Sequence, residues 1–111
     1  LMLPDFFKEF FAQRQYSMVV TSSGDKGLEI FQREEFDLVI SDIEMPGSLS
    51  GLELLEKVKE LKPNQKFILM TGLDDKEIRE RAEKAGCLYY FVKPVSLVDV
   101  ATKVKNCLGD Y

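Results

Sequence analysis

Three residues suited to phosphate chemistry, Asp42, Thr71 and Lys93, each stand at the end of a short apolar run. A carboxylate can accept a phosphoryl group as an acyl phosphate, a lysine beside it can neutralise phosphate oxygens, and a hydroxyl can hydrogen-bond one of them. Each residue alone has an ordinary explanation, because strand-end aspartates often bond only the following loop and threonine is common in strands. Together, at matching positions, they favour a phosphate site.

These three residues meet only if the apolar runs are parallel strands. The runs 36–41 and 66–71 show little polar alternation, which is typical of strands buried on both faces. The carboxyl ends of parallel strands lie at one edge of the sheet, so residues distant in sequence converge there. Pro94 follows Lys93 and keeps it out of helical geometry at the end of its strand.

Apolar periodicity and capping residues predict alternating helices and strands along the rest of the chain. This order indicates an α/β fold, a three-layer doubly wound parallel sheet with right-handed crossovers. Because the first predicted element is a helix, we expect the first strand to be missing. The predicted helices are 4–13, 25–33, 51–61, 75–85 and 96–108, and the predicted strands are 16–21, 36–41, 66–71 and 88–92.

Length and composition indicate one globular domain, residues 1–111, with 45% apolar and 31% charged residues. The net charge of −4 argues against direct binding of nucleic acid or anionic membrane. No apolar run is long enough to span a membrane and no signal peptide is visible. Cys87 and Cys107 are expected to be reduced, in a cytoplasmic protein, and the absence of histidine argues against a zinc site.

Four motifs give the chain a family resemblance: 42–46 (DIEMP), 51–55 (GLELL), 70–72 (MTG) and 92–94 (VKP). The separations agree as well, with 29 positions from Asp42 to Thr71 (71 − 42) and 22 from Thr71 to Lys93 (93 − 71). Over essentially its whole length the chain resembles the receiver domains of two-component response regulators, which have a flavodoxin-like fold.

The resemblance implies a role for each matching residue. Asp42 would accept a phosphoryl group from a sensor histidine kinase or a phosphotransfer protein, and Lys93 would hold a phosphoryl oxygen. Thr71 would be the switch hydroxyl and Tyr90 the switch aromatic, although a tyrosine filling a pocket beside the strand is the alternative for Tyr90. Glu44 would bind Mg²⁺ through its backbone carbonyl. The domain would be a signalling module and not an enzyme, beyond self-catalysed phosphotransfer and autodephosphorylation.

The chain departs from the family pattern at two places. The loop between Pro46 and Gly51 is one residue longer than usual. The family's first strand, which ends in two Mg²⁺-binding acids, aligns before Leu1, and Asp5 falls inside the predicted first helix. Because the chain starts Leu1-Met2 without an initiator methionine, we expect an N-terminal truncation that removes this strand and both acids.

The expected truncation has functional consequences. Without the acid pair, Mg²⁺ binding would be weak or absent and the chain would accept phosphate poorly. Without a central strand, two neighbouring strands would expose unpaired edges and favour a homodimer.

Two other functions compete with the phosphoacceptor role. A haloacid-dehalogenase-type phosphohydrolase also uses a strand-end aspartate, but its second acid is Glu44 here and 111 residues leave no room for a cap domain. A phosphorylation-independent binding module would keep the fold alone. An output domain in the intact protein is a further expectation that these residues do not identify.

Overall fold

A computed structural model describes residues 2–4, 19–21, 23–44 and 47–108. From residue 19 onward, the described strands and helices alternate along the chain. The strands are β1 (Met2–Pro4), β2 (Val19–Thr21), β3 (Val39–Asp42), β4 (Phe67–Thr71) and β5 (Tyr89–Val92), and the helices are α1 (Gly24–Arg33), α2 (Gly51–Leu61), α3 (Lys76–Ala85) and α4 (Leu97–Leu108).

All five strands are parallel and form one sheet in the order β2-β1-β3-β4-β5. The chain passes from β1 to β2 on one side and then returns to β3 on the other, so the strand order reverses between β1 and β3. In doubly wound sheets, ligands bind outside the carboxyl ends of the strands at such a switch point. Asp42, the last residue of β3, lies at this position.

The expectation of a missing first strand is wrong. Residues Met2 to Pro4 form β1, which pairs with β2 on one side and with β3 on the other. A three-residue strand is too short to show periodicity, and proline is favoured in the first turn of a helix, so Pro4 pointed to the wrong element. The rest of the predicted helix 4–13, including Asp5, lies outside the described residues.

The position of β1 also removes the stated reason for a homodimer. The two strands expected to expose unpaired edges, β2 and β3, both pair with β1.

Two apolar layers cover the faces of the sheet, because successive side chains of a strand point to opposite faces. Phe67 and Leu69 of β4 pack with α1, α2 and α3, whereas Ile68 and Met70 pack with α4. Every residue of β4 is buried, as expected for a central parallel strand. The predicted doubly wound α/β fold is confirmed.

Side-chain caps fix where three helices begin. Ser23 accepts a hydrogen bond from Lys26 N–H at α1, and Asp75 accepts one from Ile78 N–H at α3. Ser50 and Glu53 form a reciprocal capping box at α2. Within the described residues, no helix is long and apolar enough to cross a membrane.

Candidate functional site

Asp42 ends β3 at a point where the following helix approaches very closely. Gly51, the first residue of α2, donates its N–H to the Ile43 carbonyl at 2.9 Å. A side chain at position 51 would collide with the Asp42 carbonyl oxygen, so only glycine allows α2 to start here. The Asp42 side chain is 13% exposed, which keeps the carboxylate largely away from water.

Lys93 follows β5 and supplies a positive charge to this carboxylate. Its Nζ lies 2.6 Å from Asp42 Oδ1, while its backbone N–H donates to the Thr71 carbonyl at 2.7 Å. Asp42 Oδ1 is buried, and its contact with Lys93 is an ion pair without the geometry of a well-directed hydrogen bond. The structure therefore brings together two of the three residues singled out by their chemistry.

Thr71 ends β4, next to β3, and is 1% exposed. Its hydroxyl donates a hydrogen bond to Glu44 Oε1 at 2.7 Å and accepts one from the Leu73 N–H at 3.1 Å. The hydroxyl is thus engaged on both sides in this state.

Glu44 has a side-chain role that sequence reasoning missed. Its Oε1 also accepts a hydrogen bond from the Gly72 N–H at 2.8 Å. Burial tends to raise the pKa of Glu44, but the hydrogen bonds from Thr71 and Gly72 and the charge of Lys93 outweigh burial and lower the pKa. A long acid two residues after β3 could have suggested this contact, because the loop after β4 is its neighbour.

Tyr90 lies on β5 and packs against the apolar layer that contains Ala82 of α3. The guanidinium carbon of Arg79 lies 5.0 Å from the centre of the tyrosine ring, and Arg79 also pairs with Asp74 at 3.1 Å. The Tyr90 hydroxyl is buried and has no hydrogen-bond partner among the described residues. Burial first, and then Asp74, Glu44 and Asp75, raise the pKa of Tyr90 against the opposing charge of Arg79.

The described part of the site offers few oxygen donors suitable for a hard cation. The carboxylate of Asp42 and the backbone carbonyl of Glu44 are the donor type that Mg²⁺ takes. One oxygen of the Glu44 carboxylate, Oε1, is occupied by Thr71 and Gly72. No group of three metal-binding side chains occurs among the described residues. In sequence, Asp5 directly follows β1, but Asp5 lies outside the described residues.

Comparison with known families gives a match over nearly the whole chain. Residues 2–105 match the family described as the response regulator receiver domain. The match begins at the first residue of β1, in agreement with the sheet.

Curated relatives include a phosphotransferase and a transcriptional regulator. The sporulation initiation phosphotransferase F of Bacillus subtilis is 29% identical over 100 residues, covering 90% of this chain and 80% of the relative. The TorCAD operon transcriptional regulatory protein TorR of Escherichia coli is 34% identical over 101 residues, covering 91% of this chain and 43% of the relative. This chain thus spans most of the first relative and less than half of the second.

A solved structure supports the same fold. The CheY-like response regulator receiver domain protein from Methanospirillum hungatei has a TM-score of 0.89 and 30% sequence identity. The similarity covers 96% of this chain and 91% of that protein's chain.

Proposed function

This chain belongs to the response regulator receiver domain family of two-component systems, and on that premise we propose that Asp42 is its phosphoacceptor. The observation that carries the proposal is the ion pair between Asp42 and Lys93, which sets a cation 2.6 Å from a buried carboxylate oxygen. The carboxylate lies at the switch point of the sheet, where these folds bind ligands. The donor would be the phosphohistidine of a sensor kinase or phosphotransfer protein.

The proposed reaction is a single phosphoryl transfer. Because Oδ1 is buried against Lys93, we assign the attack on phosphorus to Oδ2 of Asp42. The new O–P bond gives an acyl phosphate, the P–N bond of the donor breaks, and its electron pair stays on the imidazole nitrogen. The Lys93 ammonium is already in place to stabilise the charge on the transferred oxygens.

Thr71 and Tyr90 would transmit the effect of phosphorylation at Asp42 to the rest of the domain. Thr71 stands one residue beyond Met70, which pairs with Asp42 across the sheet, so its hydroxyl is within one side chain's reach of the acceptor strand. After phosphorylation the hydroxyl would donate to a phosphoryl oxygen, and Tyr90 on the next strand would repack in response.

For Mg²⁺, the proposed ligands are the Asp42 carboxylate, the Glu44 carbonyl and Asp5. When bound, the ion offsets the negative charge of an incoming phosphoryl group. The family's first strand ends in two acids, whereas Asp5 is followed here by Phe6. With one acid in place of two, we expect Mg²⁺ to bind more weakly than to a full acid pair.

The cellular location of the domain and its attachment to an output domain are also proposals. We propose a cytoplasmic location, in keeping with the free thiols of Cys87 and Cys107. The longer transcriptional relative suggests an output domain in the intact protein.

The first test is phosphorylation of the chain and its Asp42→Asn variant by a small phosphodonor in the presence of Mg²⁺. Intact mass spectrometry should show one phosphate on the wild type, removed by hydroxylamine as expected for an acyl phosphate, and none on Asp42→Asn. Asp37→Asn, a change at an exposed acid just before β3, should behave like the wild type.

Other outcomes distinguish the alternatives. Phosphate on Asp42→Asn, or none on the wild type, would contradict the proposal. A phosphorylation-independent module would be favoured if three forms bound a partner equally well: the unphosphorylated wild type, the phosphorylated wild type and Asp42→Asn. Multiple turnover on a phosphoester would favour a hydrolase.

A further inference from the structure

The Glu44 side chain ties together the ends of the two strands that carry Asp42 and Thr71. One oxygen, Oε1, accepts both the Thr71 hydroxyl at 2.7 Å and the Gly72 N–H at 2.8 Å. Glu44 is an exposed residue, yet its acceptor atom is directed at a threonine that is 1% exposed.

A threonine hydroxyl has one proton to donate. In this structure that proton is given to Glu44, and the Leu73 N–H occupies the acceptor side of the same oxygen. The hydroxyl therefore cannot bond a phosphoryl oxygen on Asp42 without first leaving Glu44.

We propose that Glu44 is a positioning residue that holds Thr71 in its unphosphorylated arrangement and competes with the phosphoryl group for the threonine hydroxyl. This inference rests on the proposed function of Asp42. It gives the Glu44 side chain a role, whereas the sequence predicted only Mg²⁺ binding by the Glu44 backbone carbonyl. Glu44 acts through Thr71 and needs no contact with the phosphoryl group.

The competition between Glu44 and the phosphoryl group for the Thr71 hydroxyl should be large enough to measure as a change in affinity. Hydrogen bonds to charged groups contribute more than neutral ones, but an exposed carboxylate regains water when the bond breaks. We therefore expect loss of the acceptor to favour the phosphoryl-bound state about three- to tenfold.

The test compares Glu44→Ala with Glu44→Gln in binding of beryllofluoride, a phosphoryl analogue, with Mg²⁺ present. Both variants remove the negative charge, but only glutamine keeps an acceptor oxygen for Thr71 and Gly72. The quantity measured is the ratio of their affinities, in the Thr71 background and in a Thr71→Val background that lacks the hydroxyl. Urea unfolding of each variant verifies that it is folded.

If Glu44 competes for the hydroxyl, Glu44→Ala should bind the analogue about three- to tenfold more tightly than Glu44→Gln, and this ratio should fall to about one with Thr71→Val. A purely electrostatic role would give equal affinities for the two variants. Equal affinities with Thr71 present, or a ratio that Thr71→Val does not change, would overturn the proposal.

A second readout needs no phosphoryl group. Leu73 donates its amide to Thr71 and not to Glu44, so its NMR amide signal reports on the threonine. The signal should move in Glu44→Ala and stay close to the wild-type position in Glu44→Gln, and an unmoved signal in Glu44→Ala would show that Glu44 does not position Thr71. If the wild type binds no analogue and takes no phosphate, the function proposed for Asp42 fails, and this signal alone decides the Glu44–Thr71 contact.

Discussion

Asp42 places a negative charge where little water can reach it. The neighbouring residues must compensate the free-energy cost of burying that charge. A carboxylate that is 13% exposed is unfavourable unless a cation or hydrogen-bond donors compensate it. Lys93 provides this compensation from the position just after β5, while its own side chain remains 39% exposed. A phosphoryl group accepted by Asp42 would share the same ammonium.

Tyr90 shows a different balance at the residue scale, since its ring is well packed while its hydroxyl is buried without a described partner. A buried, unbonded hydroxyl costs free energy, so Tyr90→Phe should leave the free energy of unfolding unchanged or raise it by up to about 1 kcal/mol. Urea unfolding measures this. Tyr90→Ala is the comparison, because it also removes the ring that packs against Arg79 and should cost about 2–4 kcal/mol.

A loss of more than about 1 kcal/mol in Tyr90→Phe would mean that the hydroxyl makes a stabilising bond, contrary to this prediction. Phosphoryl-analogue binding by Tyr90→Phe is a separate matter, since ring position rather than the hydroxyl would carry the switch.

At the scale of elements, α3 depends on polar contacts more than the other helices do. Ala82 is its one buried residue, with Ile78 and Ala85 partly buried beside it. Arg81 compensates by reaching α2, where its guanidinium makes two hydrogen bonds to the Glu56 carboxylate. These bonds lower the pKa of Glu56 against the opposing effect of burial, and they raise the pKa of Arg81.

This bridge between α2 and α3 should depend on pH. The folded-state pKa of Glu56 is depressed, so its stabilisation is present above the unfolded-state value of about 4.3 and is lost as pH falls through the folded value. Both partners are partly exposed, so Glu56→Gln should cost only about 0.5–1 kcal/mol at pH 7. Urea unfolding from pH 7 downward should show the wild type and this variant converging.

Glu60→Gln, an exposed change on the same helix, is the matched control and should differ little from the wild type at any pH. The wild type and Glu56→Gln should differ less in free energy of unfolding as pH falls. If that difference stayed constant, the stabilisation would not come from the charge on Glu56. Added salt should reduce the pH 7 difference, because surface ion pairs are screened.

The elements that sequence patterns predicted well are those with periodicity and a capping residue together. Helices predicted at 25–33, 51–61 and 75–85 correspond to Gly24–Arg33, Gly51–Leu61 and Lys76–Ala85. The first strand was missed because three residues carry no periodicity and a proline suggested a helix start. Central strands this short are recognised only by the partners on either side, which a local pattern does not contain.

The candidate site was predictable to a similar degree. The convergence of Asp42 and Lys93 was predictable, because the carboxyl ends of parallel strands lie at the same edge of the sheet. The Glu44–Thr71 hydrogen bond does not follow, because it depends on the side-chain rotamer and on how two loops approach each other.

At the scale of the whole molecule, the sheet is organised around β1, although it has only three residues. It separates β2 from the strands that carry the candidate site, and the strand order reverses beside it. It pairs with β2 along its length and with β3 at Met2, so a neighbouring strand lies on each side of it. A chain lacking this strand would have two unpaired edges in the middle of the sheet, which is the situation that favours association.

Leu3→Pro tests this central position, since proline removes the backbone N–H and with it one hydrogen bond between neighbouring strands. Leu3 pairs with Val20 of β2, and we expect the substitution to lower the free energy of unfolding by about 2–4 kcal/mol, a large share of a small domain's stability. Leu3→Val, which keeps the N–H and a strand-forming side chain, should cost less than about 1.5 kcal/mol. Urea unfolding compares the two, and size-exclusion chromatography should show association in Leu3→Pro only. Equal stability of the proline and valine variants would mean that the Leu3 N–H makes no stabilising hydrogen bond in the sheet, contrary to this prediction.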